Sequence, residues 1–557
     1  MKTLEFLIGR AGTRKTSTLI SKAAQRIKNG EKVLIIVPEP FTFECERMLA
    51  EQMGAGITDM VVYSFTTLAA RILEETGSTT VHLSKQGKRM VIRKCIEEHA
   101  GELRAFSNVA KKSGFAEKCD ELFSRLKRFL ITPGMLCEAA DGGAMPEFFA
   151  QKLRDMALIY GAAEEYLASR YMDTEDKINA LIESLGRSSA RGAHVYVDGF
   201  EYLTEQRFRV IGALMDICET MTVTECMSLN AKGRDRELFE PQEAAFSRLC
   251  AMGAERGMET RVRQLKRDGS EGYAAEFTHM EHELFAYPYE QYDGVVGGIT
   301  LLEATSTKKE VEAVCNAIRR AVFEGARYRD IAVIVSDMDE YAALLADALK
   351  RYEIPFFMDA SRPFINHPLA ELVLASLRCV TRGFAAEDVI TVSKCAFLGI
   401  EPENADKFEN HIIKYGLRGK RLFEPFAQED ATDEINKVRR FVIEPLLELR
   451  TGMSEERTAS GKTEKLYEYL TKLDVCEHLA ELTHSLRAEN ELALAEETEQ
   501  AWTSLMELLG QMHAIMGDVN MANLRYCAII EEGIAAYDIG VIPTTADQVL
   551  IGDTVRT

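Results

Sequence analysis

The residues with the clearest chemical meaning are Gly9-Arg10-Ala11-Gly12-Thr13-Arg14-Lys15-Thr16, close to the amino terminus. They approximate the pattern G-x-x-x-x-G-K-[ST]. In that pattern backbone N–H groups cradle phosphates, the lysine meets the terminal phosphates and the hydroxyl holds Mg²⁺. Gly9, Lys15 and Thr16 comply, and Arg14 stands where glycine is expected. Glycine lets the backbone approach a nucleotide without a Cβ; an arginine either crowds the loop or swings out and adds charge. The expected nucleotide-binding set is therefore Gly9, Gly12, Thr13, Arg14, Lys15 and Thr16, with ATP and Mg²⁺ as ligands. The competing reading is a fortuitous glycine-rich turn.

Hydrolysis needs a further acid at a strand end to hold the metal, usually followed by a glutamate that orients water. The run His194–Val197 leads into Asp198-Gly199-Phe200-Glu201. Asp198 can hold Mg²⁺ through water and joins the nucleotide set. Gly199 can polarise nothing, and the direction of Glu201 after the strand is not fixed by sequence. Weak or absent hydrolysis is expected, and no catalytic residue is assigned.

The elements that must position these groups follow from periodicity. Leu4–Ile8, Lys32–Val37 and Asp59–Tyr63 read as strands, Lys15–Lys28 and Thr42–Gln52 as helices, and Ser64-Phe65-Thr66 leads into a further helix that runs to Glu75. Strands alternating with helices imply a parallel α/β sheet with the loop at a strand's carboxyl end. From Ser84 to Gly186 the pattern is helical (Lys85–His99, Gly114–Phe129, Gln151–Arg170). The α/β signal returns with a strand at His194–Asp198, a helix at Thr204–Ile217 and a strand at Met221–Glu225, and Asn230–Gly272 reads as surface loops and helices. A second α/β signal begins at Gly298–Ala304 and continues through Lys308–Glu324, Asp330–Val335, Glu340–Arg351 and Pro355–Met358. Pro368 to Asp538 is again helical, and Val549–Ile551 is a final strand.

Composition bounds the rest. The chain has 557 residues, more than one core of roughly 250–300 residues can hold, so several domains are expected. Lys+Arg 67 against Asp+Glu 88 gives a net charge of −21, which excludes a generally basic nucleic-acid coat but not a local basic channel. The 12 cysteines form no C-x-x-C pair, as expected of reduced buried thiols in a cytoplasmic protein. No apolar run approaches the roughly 18 residues of a membrane span, and Met1–Gly9 is too short for a signal h-region and lacks a small-residue cleavage site.

Phe6–Thr16 resembles the start of the B subunits of AddAB-type bacterial helicase–nucleases. Further segments resemble that family in order: Val37–Glu46, Val62–Leu73, Leu83–Met90, Val195–Phe200, Tyr328–Val335, Ile354–Asp359, His367–Leu369, Lys414–Gly419 and Ile542–Gly552. The resemblance implies a superfamily-1 helicase-like α/β fold, two P-loop-type (RecA-like) domains each interrupted by a mainly helical insertion. The expected blocks are 1–83 with 191–296, its insertion 84–190, then 297–369 with 541–557 and its insertion 370–540. It also implies a motor partner (the A subunit of the complex) and DNA as substrate. The present chain would be an inactivated helicase module that scans for a Chi-type sequence. The complex would resect double-strand breaks for recombination. The nuclease and iron–sulfur cluster of the family would lie beyond residue 557, and the chain's end near Val549–Ile551 reads as a truncation.

Thr42 and Phe65 are the DNA-contacting residues implied, with the Asp359–His367 loop nearby. Phe65 has two readings, a ring that stacks on a base or a core phenylalanine at a strand end. The chain departs from the family pattern at Arg14, at Pro40 (where the family has Gln), at Thr67 and Ala70 (a basic and an aromatic residue), and at Ser336 after the strand Asp330–Val335. The main alternative is an active P-loop ATPase and DNA translocase. A P-loop enzyme acting on small molecules, such as a kinase, is disfavoured by the helical insertions and second α/β domain.

Overall fold

The structure is a computed structural model. It describes residues 2–54, 61–77, 81–110, 112, 114–143, 145–168, 171–229, 234–267, 273–358, 362–489, 491–539 and 547–553. The chain divides into two compact units, one formed by Met1–Leu83, Glu102–Phe106 and Lys118–Leu302, the other by Ser84–Gly101, Ser107–Glu117 and Glu303–Thr557.

The first unit is built on a six-stranded parallel sheet. Its strands in chain order are β1 (Thr3–Gly9), β2 (Val33–Ile36), β3 (Val62–Tyr63), β4 (His194–Val197), β5 (Thr220–Cys226) and β6 (Glu259–Gln264). Their spatial order is β3-β2-β4-β5-β1-β6. The helices between them are α1 (Lys15–Lys28), α2 (Thr42–Met53) and α3 (Phe65–Glu75), with α4 (Glu205–Ile217) and α5 (Glu240–Glu255) further on.

Period-two alternation in β1 divides its side chains between two cores. Leu4, Phe6 and Ile8 pack with Val195, Val197, Ile211 and Leu214 on one face. Leu7 packs with Leu19, Ile20 and Ala23 of α1 on the other. Both faces are thus covered by helices, as a parallel sheet requires. The third strand is shorter than Asp59–Tyr63; its expected start lies outside the described residues.

Two sequence expectations are corrected. Asn230–Gly272 is not only loops and helices: Glu259–Gln264 is an edge strand, paired in parallel register with Thr3–Ile8. Its six residues are all exposed, so Glu-Thr-Arg-Val-Arg-Gln carries no hydrophobic signature. Gly298–Ala304, expected as a strand, forms none. Its apolar residues find no partner strand, and Leu301 is fully out in solvent.

The second unit contains a three-stranded parallel sheet of Ala332–Val335, Phe356–Met358 and Val549–Asp553, with the last in the middle. The helices Thr307–Phe323 and Met338–Arg351 cover one face, where Val311, Cys315, Leu345 and Leu349 pack on Val335, Val549 and Ile551. The remainder is mainly a helical array running from Pro368–Arg382 to Asn523–Ala535, with a short antiparallel pair between Arg362–Pro363 and Asp538–Ile539. The helix Lys85–Glu98 joins this unit rather than the first. Ser84 caps its start and donates its hydroxyl hydrogen to Gln511, the Gln86 amide donates to the Ala536 carbonyl and the Lys94 ammonium to that of Ile515. Compactness therefore splits the stretch 84–190 between the units, and the expected block 541–557 is described only over 547–553.

Candidate nucleotide site and the carboxyl edge of the sheet

Because all six strands run parallel, every loop that follows a strand emerges at one edge of the sheet, the usual place for ligands in such folds. β1 ends at Gly9, paired with Cys226 of β5. A Cβ on Gly9 would lie 2.3 Å from the Thr13 hydroxyl and 2.9 Å from the Leu265 carbonyl, so glycine is required. Thr13 closes the turn by donating to the Arg10 carbonyl at 2.9 Å.

The loop is anchored from outside. The Arg10 guanidinium donates to Asp235 and to Glu281 at 2.5 and 2.8 Å and lies over the Phe239 ring. Arg267 donates to the Ala11 carbonyl at 2.8 Å and to the Thr278 hydroxyl at 3.1 Å. Its guanidinium occupies the space that a side chain at Gly12 would need.

Arg14, at the position where the pattern wants glycine, has φ 58° and ψ 33°. This left-handed conformation costs a residue with a Cβ roughly 1–2 kcal/mol, and glycine nothing. The arginine side chain is exposed, so of the two sequence readings it swings out rather than crowding the loop. Lys15 opens α1, and its ammonium donates to the Gly9 and Arg10 carbonyls at 2.8 Å each. The lysine is folded over the loop it belongs to. Thr16 follows in the first turn of the helix.

Asp198 follows β4, is buried, and accepts a hydrogen bond from the Thr224 hydroxyl of β5. Gly199 has φ +78°, and a Cβ there would press on Pro38 at 3.3 Å. Backbone geometry therefore favours a glycine where a water-polarising glutamate would stand. Glu201 is exposed. Sequence reasoning missed Glu225, 5% exposed near the end of β5. Burial pushes its carboxyl up to about 8, against the pull of Lys15. Its signal was present: an acid on the same face as Met221 and Val223, next to the last residue of the strand. The loop brings together a backbone turn, Lys15 and the start of α1, and Gly199 follows Asp198 where a water-polarising acid would stand.

The neighbouring loops carry the residues expected to face DNA. Thr42 begins α2 and donates to the Glu39 carbonyl at 2.9 Å. Phe65 begins α3 behind the Ser64 cap, but it is 4% exposed. Its ring lies 5.2 Å from Phe200 with the Arg207 guanidinium over both. The stacking expectation for Phe65 is therefore replaced by the core reading. Exposed aromatic residues on the segments that follow β2 and β4 include Phe41 at 43%, Phe43 at 52%, and Tyr202. The loop start at Asp359 lies outside the described residues, and His367 caps the helix Pro368–Arg382.

A parallel sheet with a degenerate phosphate loop, followed by a second α/β sheet and a large helical array, defines a superfamily-1 helicase-like protein. Residues 274–524 match the UvrD-like helicase C-terminal domain. Residues 6–281 match the ADDB N-terminal model. Over 99% of its length the chain is similar to proteins named as the B subunits of ATP-dependent helicase/deoxyribonucleases. These include relatives from Alkaliphilus oremlandii (31% identical, 51% of that protein covered), Geobacillus kaustophilus (31%, 51%) and Bacillus subtilis (29%, 50%). The chain spans about half the length of the curated relatives it matches. No helix among the described residues is long and apolar enough to cross a membrane.

Proposed function

We propose that this chain is the amino-terminal, helicase-like part of the AddB-type component of a cytoplasmic helicase–nuclease that processes DNA double-strand breaks for recombinational repair. It guides a DNA strand for a partner motor, the A subunit, and turns over little or no ATP itself. The observation that carries this is the similarity to helicase/deoxyribonuclease B subunits over 99% of the chain, joined to a carboxyl edge that has the phosphate loop but no water-polarising acid beside Asp198. DNA would run along this edge past Thr42, with Phe41, Phe43 and Tyr202 rather than Phe65 offering rings to bases. Any iron–sulfur cluster and nuclease would belong to the region that follows the matched half in the relatives.

Fluorescence anisotropy with a single-stranded oligonucleotide tests the DNA reading. Affinity is expected to fall steeply with salt as phosphate contacts release counterions; salt-independent binding or none refutes it. ATP turnover on adding DNA tests the other half, and negligible hydrolysis is expected. The compliant Gly9, Lys15 and Thr16 favour the second reading, an active translocase. Robust turnover that disappears in Lys15→Ala would establish that reading instead.

A further inference from the structure

The segment Lys414–Gly419 plays no part in the reading above. It follows the helix Pro402–Tyr415 of the second unit and runs into a single helical turn, Gly419–Leu422, ahead of the helix Asp433–Glu455. Its path is closely held. Gly416 and Gly419 both have φ +58°, which glycine adopts without strain. The Gly419 N–H donates to the Phe384 carbonyl at 2.9 Å. The buried Arg439 donates to the Phe423 carbonyl at 2.9 Å, and the Phe423 ring meets that of Phe384 edge-on at 5.0 Å.

Held this way, Leu417 and Leu422 are buried while Arg418, Lys420 and Arg421 stand in solvent. Two further cations are close. Arg382 is exposed and precedes the Gly383 carbonyl that faces Gly419, and the Arg450 guanidinium lies 6.0 Å from the Phe384 ring. Among the described residues none of these five pairs with a carboxylate. Acids of the flanking segments are already taken: Asp430 by Lys414 and the Tyr415 hydroxyl, Asp388 by Arg378, Glu444 by Arg440. Glu424 is the acid that follows the turn. In a chain of net charge −21 this is a local basic surface on a rigid turn.

We propose that Arg418, Lys420 and Arg421 form a contact site for the phosphate backbone of duplex DNA. Guanidinium and ammonium groups donate to phosphate oxygens, and such contacts position a duplex without reading its sequence. Single-strand sites combine cations with rings on which bases stack. Here Phe384 is buried and Tyr415 is engaged with Asp430, so the turn offers charge alone, which suits paired DNA. The inference rests on the DNA reading and gives it a second contact, on the second unit.

Fluorescence anisotropy over a salt series tests it, with two duplexes of unrelated sequence and a poly-dT strand. The proteins are wild type, R418Q/K420Q/R421Q and R418K/R421K. The glutamine variant should bind both duplexes at least about tenfold more weakly at low salt, with the salt slope reduced by about 2 to 3. Its affinity for poly-dT should change less than about threefold. R418K/R421K keeps the charges and should keep the slope. An unchanged duplex slope in the glutamine variant, which would leave this surface to an acidic protein partner, overturns the assignment. So does an equal loss on poly-dT, or a loss on one duplex alone. The replaced side chains are exposed, and thermal melting checks that the variants fold. Failure of the DNA reading itself appears differently, as no salt-dependent binding of any probe by wild type.

Discussion

The two sheets of this protein are built from the same kind of strand and end up in different conditions. The six-stranded sheet buries both faces, so β1 has apolar partners on each side. The three-stranded sheet buries one face beneath its two helices and leaves Ile334 at 59% and Leu550 at 47% exposure on the other. Only the first carries a phosphate loop; the second passes from Val335 to Ser336 with no basic residue at that turn. A strand of Val, Ile and Leu thus does not by itself make a site. What makes one is a strand end held rigidly enough to fix a loop against its neighbours.

The contrast can be broken most directly in the cores. Ile8→Ala removes a fully buried side chain from the first sheet and should cost about 3 kcal/mol in chemical denaturation. Ile334→Thr in the second should stay within about 0.5 kcal/mol; a large loss there would mean the open face is covered in solution.

Next in size is the pH dependence centred on Glu225. Its folded-state value of about 8 lies above the ordinary carboxyl value of 4.5, so the folded chain holds the proton more tightly. That contribution to stability is complete below about pH 4.5 and is lost as the pH rises through 8. The denaturation midpoint of Glu225→Gln should gain on wild type between pH 5 and pH 9. Parallel curves would show that Glu225 is not the group responsible.

Arg14→Gly sharpens the comparison at the loop itself. Relief of the left-handed backbone should roughly cancel the added freedom of glycine in the unfolded chain, for a net change within about 1 kcal/mol. Calorimetry should find Mg-ATP affinity kept or raised in this variant; a loss would give the arginine a direct role in binding. The smallest effect expected is on DNA. Phe43→Ala should weaken single-strand binding severalfold, by about 1 kcal/mol, at fixed salt. Phe65→Leu, inside the core, should change it less.

Much of this was legible in the sequence wherever local rules decide. Lys15–Lys28 occurs with the boundaries expected from its apolar spacing after the loop, and the helix expected to run to Glu75 ends there, its start at Phe65 set by the Ser64 cap. The two α/β signals and the helical stretches between them were likewise readable, because long periodic segments carry their own signature. The failures share a cause. β6 was invisible because a solvent-exposed edge strand needs no hydrophobic residues, only the backbone hydrogen bonds of β1. Gly298–Ala304 had the composition of a strand and no partner to pair with.

The residue types at the loop, the absence of a carboxylate at position 199 and the family likeness were therefore set by the chain alone. The tertiary structure decided what those residues do. It put Arg14 into a backbone conformation made for glycine, folded Lys15 back over its own loop, and buried Glu225 near the end of β5. It also buried Phe65 beneath Phe200 and Arg207, residues far along the chain. Spacing along a sequence fixes which local element forms. Which charge or ring ends up beside a site depends on strands and helices that meet only when the sheet is assembled.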